Sequence, residues 1–117
     1  MGNFVLAFRK ISQTDEPLEP EIPEFGIYVT GFAGDYAKYN GIYESTKRMS
    51  DMIMCEWESE NGKIVYDWTI FKWQIRDKIN DIAIAETVNI QSSSTELPSN
   101  FEWCAYSDEH GTPILKS

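Results

Sequence analysis

The run Phe71-Lys72-Trp73-Gln74-Ile75-Arg76 constrains this chain most, because it alternates apolar and polar residues without a break. Period-two alternation puts Phe71, Trp73 and Ile75 on one face of a strand and the polar residues on the other. Such a strand needs partners, and the chain supplies further short runs between turn signals. Gly26 to Gly31 is rich in Ile, Tyr, Val and Thr. Asn40-Gly41 is a strong turn dipeptide leading into Ile42-Tyr43, since Gly41 permits the positive φ of a tight hairpin and Asn40 tolerates it. Asp51 to Glu58 sets Ile53, Cys55 and Trp57 against Met52, Met54 and Glu56, and Glu60-Asn61-Gly62 is a second hairpin signal before Lys63-Ile64-Val65-Tyr66. Asp81 to Thr87 and Phe101 to Tyr106 read as strands on either side of a Ser-rich loop containing Pro98. Asp108-Glu109-His110-Gly111 then turns the chain into Pro113-Ile114-Leu115.

A helix competes at one place. Phe71, Ile75, Ile79 and Ile82 also form an apolar stripe of helical spacing, and a helix over 72–85 would make the fold α+β. The β-branched and aromatic content and the Asn80-Asp81 pair favour two strands and a turn. The expected fold is all-β: a small antiparallel sandwich or barrel of about six to eight short strands, with Trp73 and Trp103 as core pillars and an extended N-terminal arm.

That arm covers residues 1–24, and the compact domain covers 25–117. Phe4, Leu6 and Phe8 alternate with Val5, Ala7 and Arg9 up to Ile11, as in a strand. The stretch from Ser12 to Glu24 holds Pro17, Pro20 and Pro23 at every third position among five acids, the composition of an extended, self-repelling spacer. An apolar strand on such a spacer (Phe4, Val5, Leu6, Phe8 and Ile11) suits addition to the sheet edge of a neighbouring subunit. It equally suits folding back as an edge strand of its own domain.

Charge narrows the partners. The formal net charge is −9, and the short basic clusters Lys47-Arg48 and Arg76-Asp77-Lys78 are mixed with acids, so nucleic acid is not an expected partner. No stretch approaches the ~20 apolar residues of a membrane helix, and Phe4 to Phe8 lacks the length and the preceding basic region of a signal peptide. The expectation is synthesis in the cytoplasm without membrane association. Cys55 and Cys104 lie far apart without a second thiol or nearby His, so no metal pair is expected. They read as two reduced thiols in strands, with a disulfide open only if those strands are neighbours.

No catalytic constellation emerges. The only histidine, His110, sits in a turn and lacks a partner placed by sequence. Gly31-Phe32-Ala33-Gly34 lacks the lysine and following helix of a phosphate loop. Neither metal nor cofactor is expected. Asp35 beside Tyr36, with Tyr39, and Asp67 beside Trp68 are the candidate ligand residues, because a carboxylate next to an exposed aromatic can hold a sugar's hydroxyls and its apolar face. Met49, Met52 and Met54 would make an adaptable apolar patch if they face outward.

Gly31-Phe32-Ala33-Gly34, Tyr39-Asn40-Gly41-Ile42-Tyr43-Glu44, Trp73-Gln74-Ile75, Ala83 to Ala85, Leu97-Pro98, Phe101-Glu102-Trp103 and Gly111-Thr112-Pro113 follow one another in an order that resembles a known module. It is the small all-β module with the pattern G-x-A, N-G-x-Y, W-x-I, P, W and G-x-P, found in surface, tail-fibre and head-fibre-like proteins of gut bacteria and their phages. Two departures stand out: Lys47-Arg48-Met49 replaces a second turn and a Pro-x-Tyr strand, and Ile82 and Ile84 replace an aromatic. The resemblance implies display or adhesion and brings no catalytic residues. The expected function is therefore a non-enzymatic virion accessory (capsid decoration, head fibre or tail-associated) or a bacterial surface module. It would be anchored by its arm to sister subunits, capsid or fibre proteins as a homo-oligomer. The alternative is a free carbohydrate-binding module that recognises surface glycans.

Overall fold

The computed structural model describes residues 20–47, 55–90 and 97–117. The arm residues Phe4, Val5, Leu6, Phe8 and Ile11, and Met49, Met52 and Met54, lie outside the described residues.

The described residues form eight antiparallel strands: β1 (Ile27–Phe32), β2 (Gly41–Lys47), β3 (Glu56–Glu58), β4 (Gly62–Asp67), β5 (Lys72–Asp77), β6 (Ala83–Thr87), β7 (Trp103–Ala105) and β8 (Gly111–Lys116). Each strand pairs with the next from β1 to β7, and β8 returns to pair with β1, so the sheet order is β8-β1-β2-β3-β4-β5-β6-β7. The sheet curls until β7 and β8 lie side by side, a nearly closed barrel with one seam not joined by a ladder. The all-β expectation holds, in its barrel form.

Alternation fills the barrel. β4 turns Ile64 and Tyr66 inward, β5 turns Trp73 and Ile75 inward, and the pairs Ile64↔Ile75 and Tyr66↔Trp73 face one another across the ladder. Trp57, Trp73 and Tyr66 meet edge to face, with centroids 5.4–5.7 Å apart, the arrangement that ring quadrupoles favour. Trp73 and Trp103 are buried as expected, each removing roughly 200 Å² from water, or about 5 kcal/mol of transfer free energy at ~25 cal/mol/Å². Gln74, on the outer face of β5, is also covered, by neighbours described below.

Strands, not a helix, occupy 72–87, and a turn at 78–82 joins β5 to β6. Asp77 holds this turn: its Oδ1 accepts bonds from the Ile79 and Asn80 backbone N–H groups at 3.0 and 2.8 Å. Ile79 and Ile82, half of the apparent helical stripe, are exposed there. Phe71 is not a member of β5 but lies exposed in the 68–71 turn before it.

The turn signals are met with one change. Ser59 N–H donates to Gly62 O at 2.9 Å, closing the β3–β4 hairpin at the second signal. Asn40-Gly41 does not form a two-residue hairpin. Residues Gly34–Tyr39 make a 3-10 turn instead, Asn40 is extended, and Gly41 opens β2 with φ 127°. The Asn40 amide pairs with the backbone of Phe32, accepting from its N–H at 3.1 Å and donating to its carbonyl at 2.9 Å. Asn is thus used here for side-chain pairing across the β1–β2 connection. Neither cysteine is in a disulfide: Cys55 is buried, whereas Cys104 is exposed on β7.

Strand register gives the barrel two ends. Residues 20–26, the end of β2, the start of β3, the turn 68–71, and residues 88–90 and 97–102 share the linker end. The turns 33–40, 59–61, 78–82 and 106–110 share the far end. The chain on either side of 1–19, 48–54 and 91–96 therefore meets the barrel at the linker end.

Candidate functional site

At the far end the 3-10 turn carries Asp35, Tyr36 and Tyr39. Asp35 is exposed, but Tyr36 is half-buried and packs on Phe32, Tyr39 and His110 with centroids 4.3–6.0 Å away. Tyr39 is buried, and its hydroxyl donates to Asp77 Oδ2 at 2.5 Å. These rings, with His110, plug the barrel, and the plug leaves Asp35 open and Tyr36 partly open to solvent. Burial, reinforced by the bond to Asp77, pushes the Tyr39 phenol well above its ordinary range.

Asp67 and Trp68 lie at the linker end, so the five candidate ligand residues form two groups at opposite ends of the barrel, not one site. Trp68 is 51% exposed and rests one edge on Tyr66, 5.4 Å between centroids. Asp67 Oδ1 accepts from the Thr69 hydroxyl at 2.6 Å and from its N–H at 2.8 Å. The hydroxyl bond is the main cause that holds the carboxyl below its ordinary range.

From Trp68 a shallow groove of about 400 Å³ runs along the outer faces of β4 and β5 past Lys63 and Arg76 to Asp81. Arg76 Nε and Lys63 Nζ both reach Asp81 Oδ1, at 2.8 and 3.2 Å, and Arg76 is the larger cause of that carboxyl's lowered pKa. A polar chain continues across the sheet. Arg76 Nη1 donates to Gln74 Oε1 at 2.7 Å, and Gln74 Nε2 donates to Tyr106 Oη at 3.2 Å. Tyr106 Oη donates to Glu86 Oε1 at 2.5 Å, and Lys72 Nζ donates to Glu86 Oε2 at 2.9 Å. This chain explains why Gln74 is covered though it faces outward. Burial, then the bond to Glu86, pushes Tyr106 up to about 12.

Sequence reasoning missed this network. Its only sequence signal is the polar half of the alternation, Lys72, Gln74 and Arg76. Glu86 joins through the Gln74↔Glu86 register, which spacing does not fix.

The linker end also holds an apolar cavity of about 340 Å³ lined by Ile22, Pro23, Phe25, Cys55, Trp57 and Leu97, among others. Trp57 Nε1 donates to the Phe25 carbonyl at 2.7 Å, fixing residues 22–25 as one wall. Around the same end Trp68, Ile70, Phe71, Val88 and Ile90 are exposed. Among the described residues no three metal-ligating side chains come together, and no helix is long and apolar enough to cross a membrane.

No protein-family model, curated protein or solved structure matches the chain.

Proposed function

We propose that this chain is a non-enzymatic assembly and display module. Residues 1–24 anchor it to sister subunits or to a capsid, fibre or cell-surface protein, and the far end of the barrel is presented outward. The observation that carries this reading is the crowding of exposed Trp68, Ile70, Phe71, Val88 and Ile90 at the linker end, where the arm joins at residue 20. Five exposed apolar side chains at the linker end, against Ile79 and Ile82 in the far-end turn, and continuous with an apolar anchor, make that end the better interaction surface. The far end is plugged by its own aromatic cluster, which suits an outward-facing cap.

The test is the native mass in solution of the full chain and of a chain beginning at Pro20. An oligomer that falls to a folded monomer on truncation supports the reading; two identical oligomers refute it, and two monomers remove sister subunits as the arm's partner.

A second reading, a glycan-binding module, is favoured by one observation: Trp68 stands exposed beside Asp67 at the mouth of the polar groove toward Arg76 and Asp81. An aromatic face next to charged hydrogen-bonding groups matches the two sides of a sugar ring. A glycan screen against the full chain separates this reading from assembly.

A further inference from the structure

We propose that the cavity at the linker end receives the Phe4–Phe8 segment of a second copy of this chain, so that two chains exchange their N-terminal arms. The inference rests on the assembly reading above and names its partner and its receptor.

The cavity has the chemistry of a socket for apolar side chains. Ile22, Pro23, Phe25, Trp57 and Leu97 supply an apolar wall, and its ~340 Å³ lies at the lower end of pockets that enclose a small ligand. The wall is built, because the Trp57 indole N–H ties down the Phe25 backbone. Phe25 itself takes φ 66°, a left-handed conformation that costs a non-glycine residue free energy, and it does so where the chain bends from the spacer into β1.

Three segments outside the described part meet the barrel at the cavity's end, 1–19, 48–54 and 91–96, and of these 1–19 alone carries an unbroken run of five apolar residues. Ile22 and Pro23 line the cavity, and residues 1–19 attach just before them at Pro20. Those nineteen residues contain one compact apolar run, Phe4-Val5-Leu6-Ala7-Phe8. Thirteen residues, 9–21, separate Phe8 from Ile22, a span of about 40 Å at ~3.1 Å per residue in the extended form that prolines favour.

Proline stiffness and like charge in the spacer weigh toward a second copy over the chain's own cavity. Reaching the same cavity requires a reversal within a segment whose Pro17 and Pro20 resist folding back and whose Asp15, Glu16, Glu19 and Glu21 repel one another. Running on to a neighbour requires no reversal, and reciprocal exchange closes as a two-fold dimer. The opposing term is repulsion between two copies of net charge −9, which salt screens. The dimer therefore strengthens as salt is raised.

The test uses Cys55, a buried residue in the cavity wall whose alkylation requires that wall to open, as reporter, in a Cys104→Ser background that removes the exposed thiol. Sedimentation velocity gives the mass of the full chain, of the chain beginning at Pro20, and of the full chain carrying Leu97→Glu. Alkylation of Cys55 in the truncated chain is timed with and without a synthetic peptide of residues 2–11. The expected results are a dimer for the full chain and monomers for the other two. The peptide, at about ten times its Kd, slows Cys55 alkylation roughly tenfold by mass action.

If truncation gives a monomer but Leu97→Glu stays dimeric and the peptide leaves Cys55 unprotected, the arm assembles elsewhere. This inference then falls and the assembly reading stands. If the full chain is a monomer at every concentration, with Cys55 already protected by its own arm, both fall. The peptide experiment does not depend on the folding of the Leu97→Glu variant.

Discussion

Tyr39 and Asp77 are joined by a 2.5 Å hydrogen bond that ties the 3-10 turn between β1 and β2 to the end of β5, thirty-eight residues away. The bond is the main cause that holds the Asp77 carboxyl below its ordinary 3.8, with the Asn80 and Ile79 N–H groups assisting. On Tyr39 burial acts first and the bond second, and both push the phenol above its ordinary 10.0.

These opposite shifts predict the pH dependence. A carboxyl lowered on folding stabilises above its unfolded value of 3.8, and that contribution fades as pH falls through the folded value. A phenol raised on folding stabilises below 10.0, and its contribution is lost as pH climbs toward the folded value. Urea midpoints should therefore be flat across neutral pH and fall below about 4 and above about 10. Tyr39→Phe should lower the neutral midpoint and flatten both limbs. An unchanged acid limb in Tyr39→Phe would mean that the carboxylates responsible lie elsewhere.

Gly62 packs against Tyr43, whose hydroxyl donates to the Tyr39 carbonyl at 2.7 Å in the core. A β-carbon on Gly62 would overlap that hydroxyl oxygen, so Gly62→Ala should cost about 1–3 kcal/mol, as overpacking does. In a Tyr43→Phe background the clash is partly relieved and the cost should shrink by at least ~0.5 kcal/mol, the usual floor for coupled neighbours. Additive costs in the double-mutant cycle would remove the contact from the explanation.

Most of the fold was legible in the sequence because alternation reports directly on a barrel with a filled interior. Trp73, Ile75 and Trp103 follow from period two, which misplaces Phe71 on the same face and leaves the facing of Trp57 open. What was not legible depended on register and on side chains replacing backbone. Asn40-Gly41 looks like a hairpin turn in one dimension, but the Asn40 amide bonds Phe32 across an intervening 3-10 turn. Tyr36 and Tyr39 read as a recognition loop because tyrosine is at home in either role; only the position of His110, brought back by β8, shows that they close the barrel. Asp67 and Trp68 are neighbours in the chain, yet nothing in their spacing sets them a barrel's length from Asp35.

Gly111 meets Gly31 where β8 joins β1 and the register slips. A β-carbon on Gly111 would overlap the Gly31 carbonyl oxygen, and its φ of 81° disfavours any other residue. Both obstacles are backbone, so no rotamer relieves them. Gly111→Ala should cost more than Gly62→Ala, with strain of order 1–3 kcal/mol in addition to the overlap. Equal denaturation midpoints for the two variants would contradict this ranking.

The outer-face network predicts a titration. Tyr106 is pushed up to about 12, by burial first and then by its bond to Glu86. Ultraviolet difference titration should show two tyrosines ionising near there, Tyr106 and Tyr43, which burial also pushes up to about 12, and Tyr106→Phe should remove one of the two. Glu86→Gln should bring the Tyr106 step down toward 10.0 by removing the carboxylate's charge. A Tyr106 step that stays put in Glu86→Gln would assign the shift to burial alone.

The four tryptophans separate the two functional readings. Trp57, Trp73 and Trp103 are buried, whereas Trp68 is 51% exposed beside Asp67, so acrylamide should quench Trp68 selectively and Trp68→Phe should abolish nearly all of that quenching. If assembly covers the linker end, quenching should be weaker in the full-length oligomer than in the chain beginning at Pro20, because Trp68 stands on the rim that the partner approaches. If the groove holds a glycan, a bound sugar should protect Trp68 equally in both chains, and Asp67→Asn should weaken that protection. Protection by assembly without any effect of sugars would leave Trp68 as an interface residue, and the glycan reading would be abandoned.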